Sequence, residues 1–148
     1  EKGFRTYLAG LANAEIVATV TADSNEESAT ACAKELLRAH PEINVLVGFN
    51  EWMTLGIGNA IHTLGCADRV RGVGFDSNIR SVGQLECGEM DALIVQNPFA
   101  IGYLGVRNAA LLASGDDIGS AEIATDMTTV TQSNMFDADI QKILFRYN

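Results

Sequence analysis

INVLVGFNEWMTLGIGNAIHTLG, residues 43–65, decides the fold. Ile43 to Phe49 is a short, almost continuous apolar run rich in β-branched residues, the pattern of a strand buried on both faces. Glu51 to Leu64 then reads as a helix, closed by Gly65. The same strand-then-helix unit recurs on either side. VRGVGF (70–75) reads as a strand leading to a helix from Asn78 to about Glu86, near Gly88. DALIVQ (91–96) reads as another, with Pro98 in the first turn of a helix that runs to Ser114 and stops at Gly115. Upstream, IVATVT (16–21) has strand composition, and Ser24 followed by Glu27 suggests a capping box for a helix to about Ala39, before Pro41. Downstream, residues 116–120 form a polar loop, Met127 to Thr131 a strand and Asp137 to Phe145 a short helix. This alternation predicts an α/β fold: a parallel-sheet, Rossmann-like lobe with helices on both faces.

The composition narrows the function. At 148 residues, the chain has the length of one domain, with 47% hydrophobic and 20% charged residues. Ten basic against nineteen acidic residues give a net charge of −9, without blocks of like charge. That balance argues against nucleic acid and anionic membrane surfaces, which require a basic face. No apolar stretch approaches the roughly 18 residues that span a bilayer. Cys32, Cys66 and Cys87 are too few and too irregular for a disulfide framework or a zinc ribbon. Glu1 to Leu11 lacks the pattern of a signal peptide. Phe4, Tyr7, Leu8 and Leu11 instead form a helical stripe with no cap before it, so the chain is expected to begin within a helix.

In parallel sheets of this kind, ligands bind beyond the carboxyl ends of the strands. The residues there are Asp23 and Ser24, Asn50 and Glu51, Asp76 and Ser77, and Gln96 and Asn97. Amides and a carboxylate along one edge supply both donors and acceptors, which suits a ligand covered in hydroxyls. Phe49, Trp52, Phe75 and Phe99 lie beside them and offer apolar faces for a sugar ring. In the set Asn50, Asp76 and Gln96, one acid with no Lys or Arg favours a neutral ligand. The structural alternative is that Asn, Asp and Ser after a strand are helix caps, Asp76 among them, and that the aromatic residues are core or groove wall. Gln96 fits that alternative least well. A metal at His62 and Cys66 has no further ligand in register, and a Cys nucleophile with His40 or His62 rests on composition alone. Gly72-Val73-Gly74 lies inside a strand, where close helix packing explains it better than a phosphate cradle. Neither a catalytic centre nor a cofactor is expected.

GFNEWMTLGIGNAI (48–61), VGFDSN (73–78), ALIVQNPFAIGYLGV (92–106) and VTQSN (130–134), in this order and spacing, resemble the carboxyl-terminal half of the ribose-binding-protein-like group of periplasmic solute-binding proteins. Those proteins, which share their fold with the effector domains of LacI-type repressors, close two α/β lobes around a sugar. The resemblance implies that Asn50, Asp76 and Gln96 are sugar-hydroxyl ligands. Ser24 falls where some members place an aromatic residue, and Glu51 where Asp is usual. It also implies that residues 1–97 and 126–148 belong mainly to the second lobe, and that 98–125 packs on a first lobe without counterpart here. Ile101, Leu104, Val106, Leu111 and Leu112 would then be exposed. A chain of this kind is expected to be one half of a larger protein, or to associate with itself or with the missing half.

The leading functional expectation is a sugar-binding component of an ABC-type importer, or of a sensor. It would bind a monosaccharide or similar polyol, with no chemistry, and act through a permease or a sensor receptor. The implied location is periplasmic or extracellular, with a lipid anchor as one variant. The alternative is the effector domain of a LacI-type regulator, which an upstream helix-turn-helix would distinguish. A cysteine-dependent α/β enzyme ranks third.

Overall fold

A computed structural model describes residues 1–120 and 122–145. Along these the elements run α1 (Lys2–Leu8), α2 (Glu26–Ala39), β1 (Val45–Val47), α3 (Glu51–Leu64), β2 (Arg71–Phe75), α4 (Ile79–Glu86), β3 (Ala92–Gln96), α5 (Pro98–Ser114), β4 (Met127–Val130) and α6 (Ala138–Phe145). The helix ends follow local chemistry. Gly65 (φ 58°) and Gly115 (φ 81°) end α3 and α5 in the left-handed conformation that lacks a Cβ penalty. Asn97 caps α5, accepting from the Ala100 N–H at 3.0 Å, with Pro98 at the first helical position.

The strands form one sheet in the order β1-β2-β3-β4. β1, β2 and β3 are parallel, whereas β4 lies antiparallel on β3, pairing Leu93 with Val130 and Gln96 with Met127. The strand expected over 127–131 is thus present, but its direction departs from the all-parallel expectation. Ile16 to Thr21 is a second departure: it joins no ladder, and β1 is the edge of the sheet. Ile16, Val17 and Val20 are exposed, and Thr19 receives a hydrogen bond from the Arg5 guanidinium (2.9 Å). β-branched composition fits a pleated surface, but a strand exists only where a neighbouring edge pairs its backbone. The start of α2 moves as well. Asn25, not Ser24, is its cap, accepting from the Ser28 N–H at 2.8 Å, while Ser28 Oγ accepts from the Asp23 N–H.

The main core lies on one sheet face, where Leu46, Gly72, Gly74, Leu93, Val95 and Val130 are all buried. α3 covers this face, with α2 and α4 packed beside it. Small residues set the approach. A Cβ on Gly74 would lie 2.3 Å from Thr54 Cγ2, and one on Gly56 would lie 2.5 Å from the Ala29 Cβ of α2. Ile61, Leu85, Met90 and Leu93 are sealed from solvent, each contributing about 1.5 to 3 kcal/mol by burial. The opposite face is less covered: Val45 is exposed, and Val47, Val73, Phe75 and Ile94 are half-buried. At its carboxyl end Phe4 of α1 meets Phe49 edge-on at 5.6 Å, and Phe49 lies 5.8 Å from Phe75. α5 buries none of its residues fully; Ile101, Val106 and Leu112 are exposed, Leu104 and Leu111 half-buried. Among the described residues no helix is long and apolar enough to cross a membrane.

Candidate functional site

Because β1, β2 and β3 are parallel neighbours, the chain leaves all three along one edge, at Gly48–Asn50, Asp76–Asn78 and Gln96–Asn97. Asp76 stands at φ 66°, in the left-handed region, the one non-glycine to do so among the described residues. Asp and Asn tolerate that conformation better than most side chains, at a cost of about 1 kcal/mol. Its N–H donates to Ile94 O (3.0 Å), and its Oδ1 accepts from Gln96 Nε2 at 2.5 Å. The carboxylate and the amide that the sequence pointed to are therefore in direct contact.

Asp76 is not the cap of the following helix. Asn78 is: its side chain accepts from the Arg80 and Ser81 N–H groups, both at 2.9 Å, and Ser81 Oγ accepts from the Asn78 N–H in return. For Asn50 the capping alternative holds, since its Oδ1 accepts from the Met53 N–H at 2.9 Å. That bond occupies one end of the amide. Among the described residues Asn50 Nδ2, Asp76 Oδ2 and Gln96 Oε1 have no partner, so one donor group and two acceptors remain free on adjacent strand ends. This inventory matches vicinal hydroxyls, each of which both donates and accepts.

The other candidates separate from this group. Trp52 is 42% exposed in the first turn of α3, two residues beyond Asn50. Ser24 lies exposed in the bend before α2, with no hydrogen bond to Asn50, Asp76 or Gln96. Phe49 and Phe75 pack on one another, and Phe99 stacks on Tyr103 of α5 with ring centroids 6.3 Å apart. A concavity of about 1070 Å³ runs along α2 from Glu26 to Ala39 and touches none of the three polar residues. The polar set is thus an open rim. His62 pairs with Glu89 (2.5 Å), while the buried Cys66 turns its Sγ toward Ile61 O. Among the described residues no group of three or more His, Cys, Asp or Glu side chains is placed to hold a metal.

Behind the rim lies polar bracing that the sequence reading missed. Glu26 at the start of α2 takes a two-pronged bond from Arg80 of α4 and another from Asn59 Nδ2 of α3 (2.7 Å). Arg80 first, and then Asn59, hold the Glu26 carboxyl below its ordinary pKa. Glu51 accepts from Asn78 Nδ2, joining the first turn of α3 to the cap of α4. Thr54, fully buried, bonds to Asn50 and Phe75. Its sequence signal was a hydroxyl in an otherwise apolar helical stretch, with a glycine-rich strand to receive it.

An α/β unit with hydroxyl-matching groups at its strand ends has the build of one lobe of a small-solute receptor. The chain belongs to the periplasmic binding protein domain family, whose model matches residues 1–117. It is 31% identical over 115 residues to the ribose import binding protein of Salmonella typhimurium, an alignment covering 78% of this chain and 38% of that protein. With the D-allose-binding periplasmic protein of Escherichia coli it shares 30% over 93 residues, 63% of this chain and 30% of that one. Among solved structures, it resembles a carbohydrate transporter solute-binding protein from Agrobacterium radiobacter in complex with D-arabinose (TM-score 0.85, 29% identity, 96% of this chain and 48% of that one). An ABC transporter solute-binding protein from Agrobacterium vitis bound to α-D-tagatopyranose is similar too (TM-score 0.88, 26% identity, 97% and 48%). The chain spans half or less of the length of these relatives.

Proposed function

We propose that this chain forms the carboxyl-terminal lobe and lobe-crossing segment of a solute-binding protein, and that it binds a neutral monosaccharide or similar polyol without catalysis. The observation that carries this reading is the Asp76–Gln96 contact, made with Asp76 held at φ 66° beside the half-free amide of Asn50. Asp76 accepts from one or two sugar hydroxyls, Asn50 Nδ2 donates to a ring or hydroxyl oxygen, and Gln96 Oε1 accepts from a third group. Trp52 flanks the ring, and Ser24 contributes at the rim. Sugars named for the relatives, ribose, allose, arabinose and tagatose, are of this chemical class.

In this reading residues 1–97 and 126–148 make up the second lobe, and 98–125 packs on a first lobe that completes the pocket. The exposure of Phe99, Val106 and Leu112 along α5 supports such a contact. Ligand touching both lobes stabilises the closed form, which a membrane partner, an ABC permease or a sensor receptor, then recognises. The protein acts in the periplasm or outside the cell, free or lipid-anchored. The transport names of the relatives support this over the repressor alternative.

Calorimetric titration of the protein at its full natural length with D-ribose, D-allose, D-arabinose and the anion D-gluconate tests the reading. Saturable heat with a neutral sugar and none with gluconate is the expected result. Preference for the anion would overturn it.

A further inference from the structure

Thr54 is buried in the first turn of α3, and its one hydroxyl meets three backbone groups. It accepts from the Phe75 N–H at 2.9 Å and shares its proton between Phe75 O (2.8 Å) and Asn50 O (2.9 Å). The ladder explains why these groups are open to it. On β2, alternate residues turn their backbone toward β1: the Arg71 N–H donates to Asn44 O, and Val73 O accepts from the Gly48 N–H. Phe75 is next in that series, but β1 has by then turned away toward α3. The Thr54 hydroxyl stands in for the missing rung.

The residues it joins are Asn50 itself and the residue directly before Asp76. We propose that Thr54 is a positioning residue of the sugar site, fixing Asn50 and Asp76 relative to one another; this rests on the reading of both as sugar ligands. Asp76 needs such support, because a side-chain-bearing residue persists at φ 66° only where its surroundings hold it there. On the β3 side its N–H is tied to Ile94 O; on the α3 side Phe75 is tied to Thr54. Gly74 makes the approach possible, since a Cβ there would lie 2.4 Å from Thr54 Oγ1.

The test compares Thr54→Ala, which removes the hydroxyl, with Thr54→Ser, which keeps it. Thr54→Val replaces the alanine variant if the latter does not fold. Each is made in the protein at its full natural length and titrated with D-ribose, D-allose and D-arabinose well below its unfolding temperature, and exchange of the Phe75 and Asp76 amide protons is followed by NMR. The hydroxyl-free variant should bind the wild type's preferred sugar about tenfold more weakly and exchange both protons about tenfold faster. Thr54→Ser should restore both. A hydroxyl-free variant with a lower unfolding temperature but wild-type affinity would make Thr54 a packing residue and overturn the proposal. If the wild type binds none of the three sugars, it is the reading of the site that fails. Exchange then decides Thr54's part: faster exchange at Asp76, reversed by serine, supports positioning, and unchanged exchange overturns it.

Discussion

Gly56→Ala sets packing against helix propensity. Within α3 the exchange should help, because alanine is favoured over glycine in a helix interior by about 1 kcal/mol. The structure gives the opposite sign. The new Cβ would lie 2.5 Å from Ala29 Cβ, 2.6 Å from the Ala29 carbonyl carbon and 2.7 Å from Thr30 N, whereas ordinary contact begins at 3.4 Å. Two of those three atoms are backbone, so no rotamer change relieves the clash, and α2 must move off α3 by about 1 Å in a close-packed interior. Overpacking of this kind costs about 1 to 3 kcal/mol. Parting the helices also stretches the Glu26–Asn59 bond between them. The net expectation is a loss of about 1 to 2 kcal/mol, or about 3 to 6 °C in unfolding temperature for a chain of this size. Gly83→Ala in α4 is the control, since a Cβ there meets nothing within 4 Å and should give the propensity gain alone. Thermal unfolding followed by circular dichroism reads both. A Gly56→Ala protein as stable as the wild type, or shifted in the same direction as Gly83→Ala, would refute the close-packing argument.

Glu26→Gln removes a carboxylate whose pKa the Arg80 contact holds below the ordinary 4.5. A depressed carboxyl stabilises the fold above its unfolded pKa, and that contribution is lost as pH falls through the folded value. The variant should therefore be less stable than the wild type at pH 7 by up to about 1 kcal/mol, since the pair is partly exposed, and the gap should narrow as pH falls below the ordinary carboxyl value. A gap that persists in acid would place the effect elsewhere. Val106→Lys tests the role proposed for α5, where Val106 is 74% exposed. If a first lobe covers it, the full-length protein should lose about 1 to 3 kcal/mol on unfolding; a change within about 0.5 kcal/mol would mean the position faces solvent.

The parts of the fold legible in the sequence were those set by local chemistry. α3 and α5 run between the bounds that Gly65, Pro98 and Gly115 mark, because caps and breakers act within one turn. What depended on distant partners was not legible. Ile16 to Thr21 has strand composition but pairs with no neighbouring strand, and nothing within residues 127–131 distinguishes an antiparallel strand from a parallel one. At the site, strand order placed Asn50, Asp76 and Gln96 on adjacent ends. The left-handed backbone of Asp76 and its bond to Gln96 are tertiary facts. So is the reach of Thr54 to Phe75, which needs both the glycine at 74 and the early exit of β1.

The central claim is that Asp76 is a sugar ligand, and Asp76→Asn tests it most directly. Asparagine tolerates the same backbone conformation and nearly the same volume, so the change removes charge and accepting capacity with little effect on the fold. Trp52, the chain's one tryptophan, lies two residues from Asn50 and serves with calorimetry as a reporter. With the neutral sugar that the wild type binds, the variant should lose about 1.5 to 3 kcal/mol, roughly 10- to 150-fold in affinity, at an unchanged unfolding temperature. Wild-type affinity in a folded Asp76→Asn protein would contradict the claim.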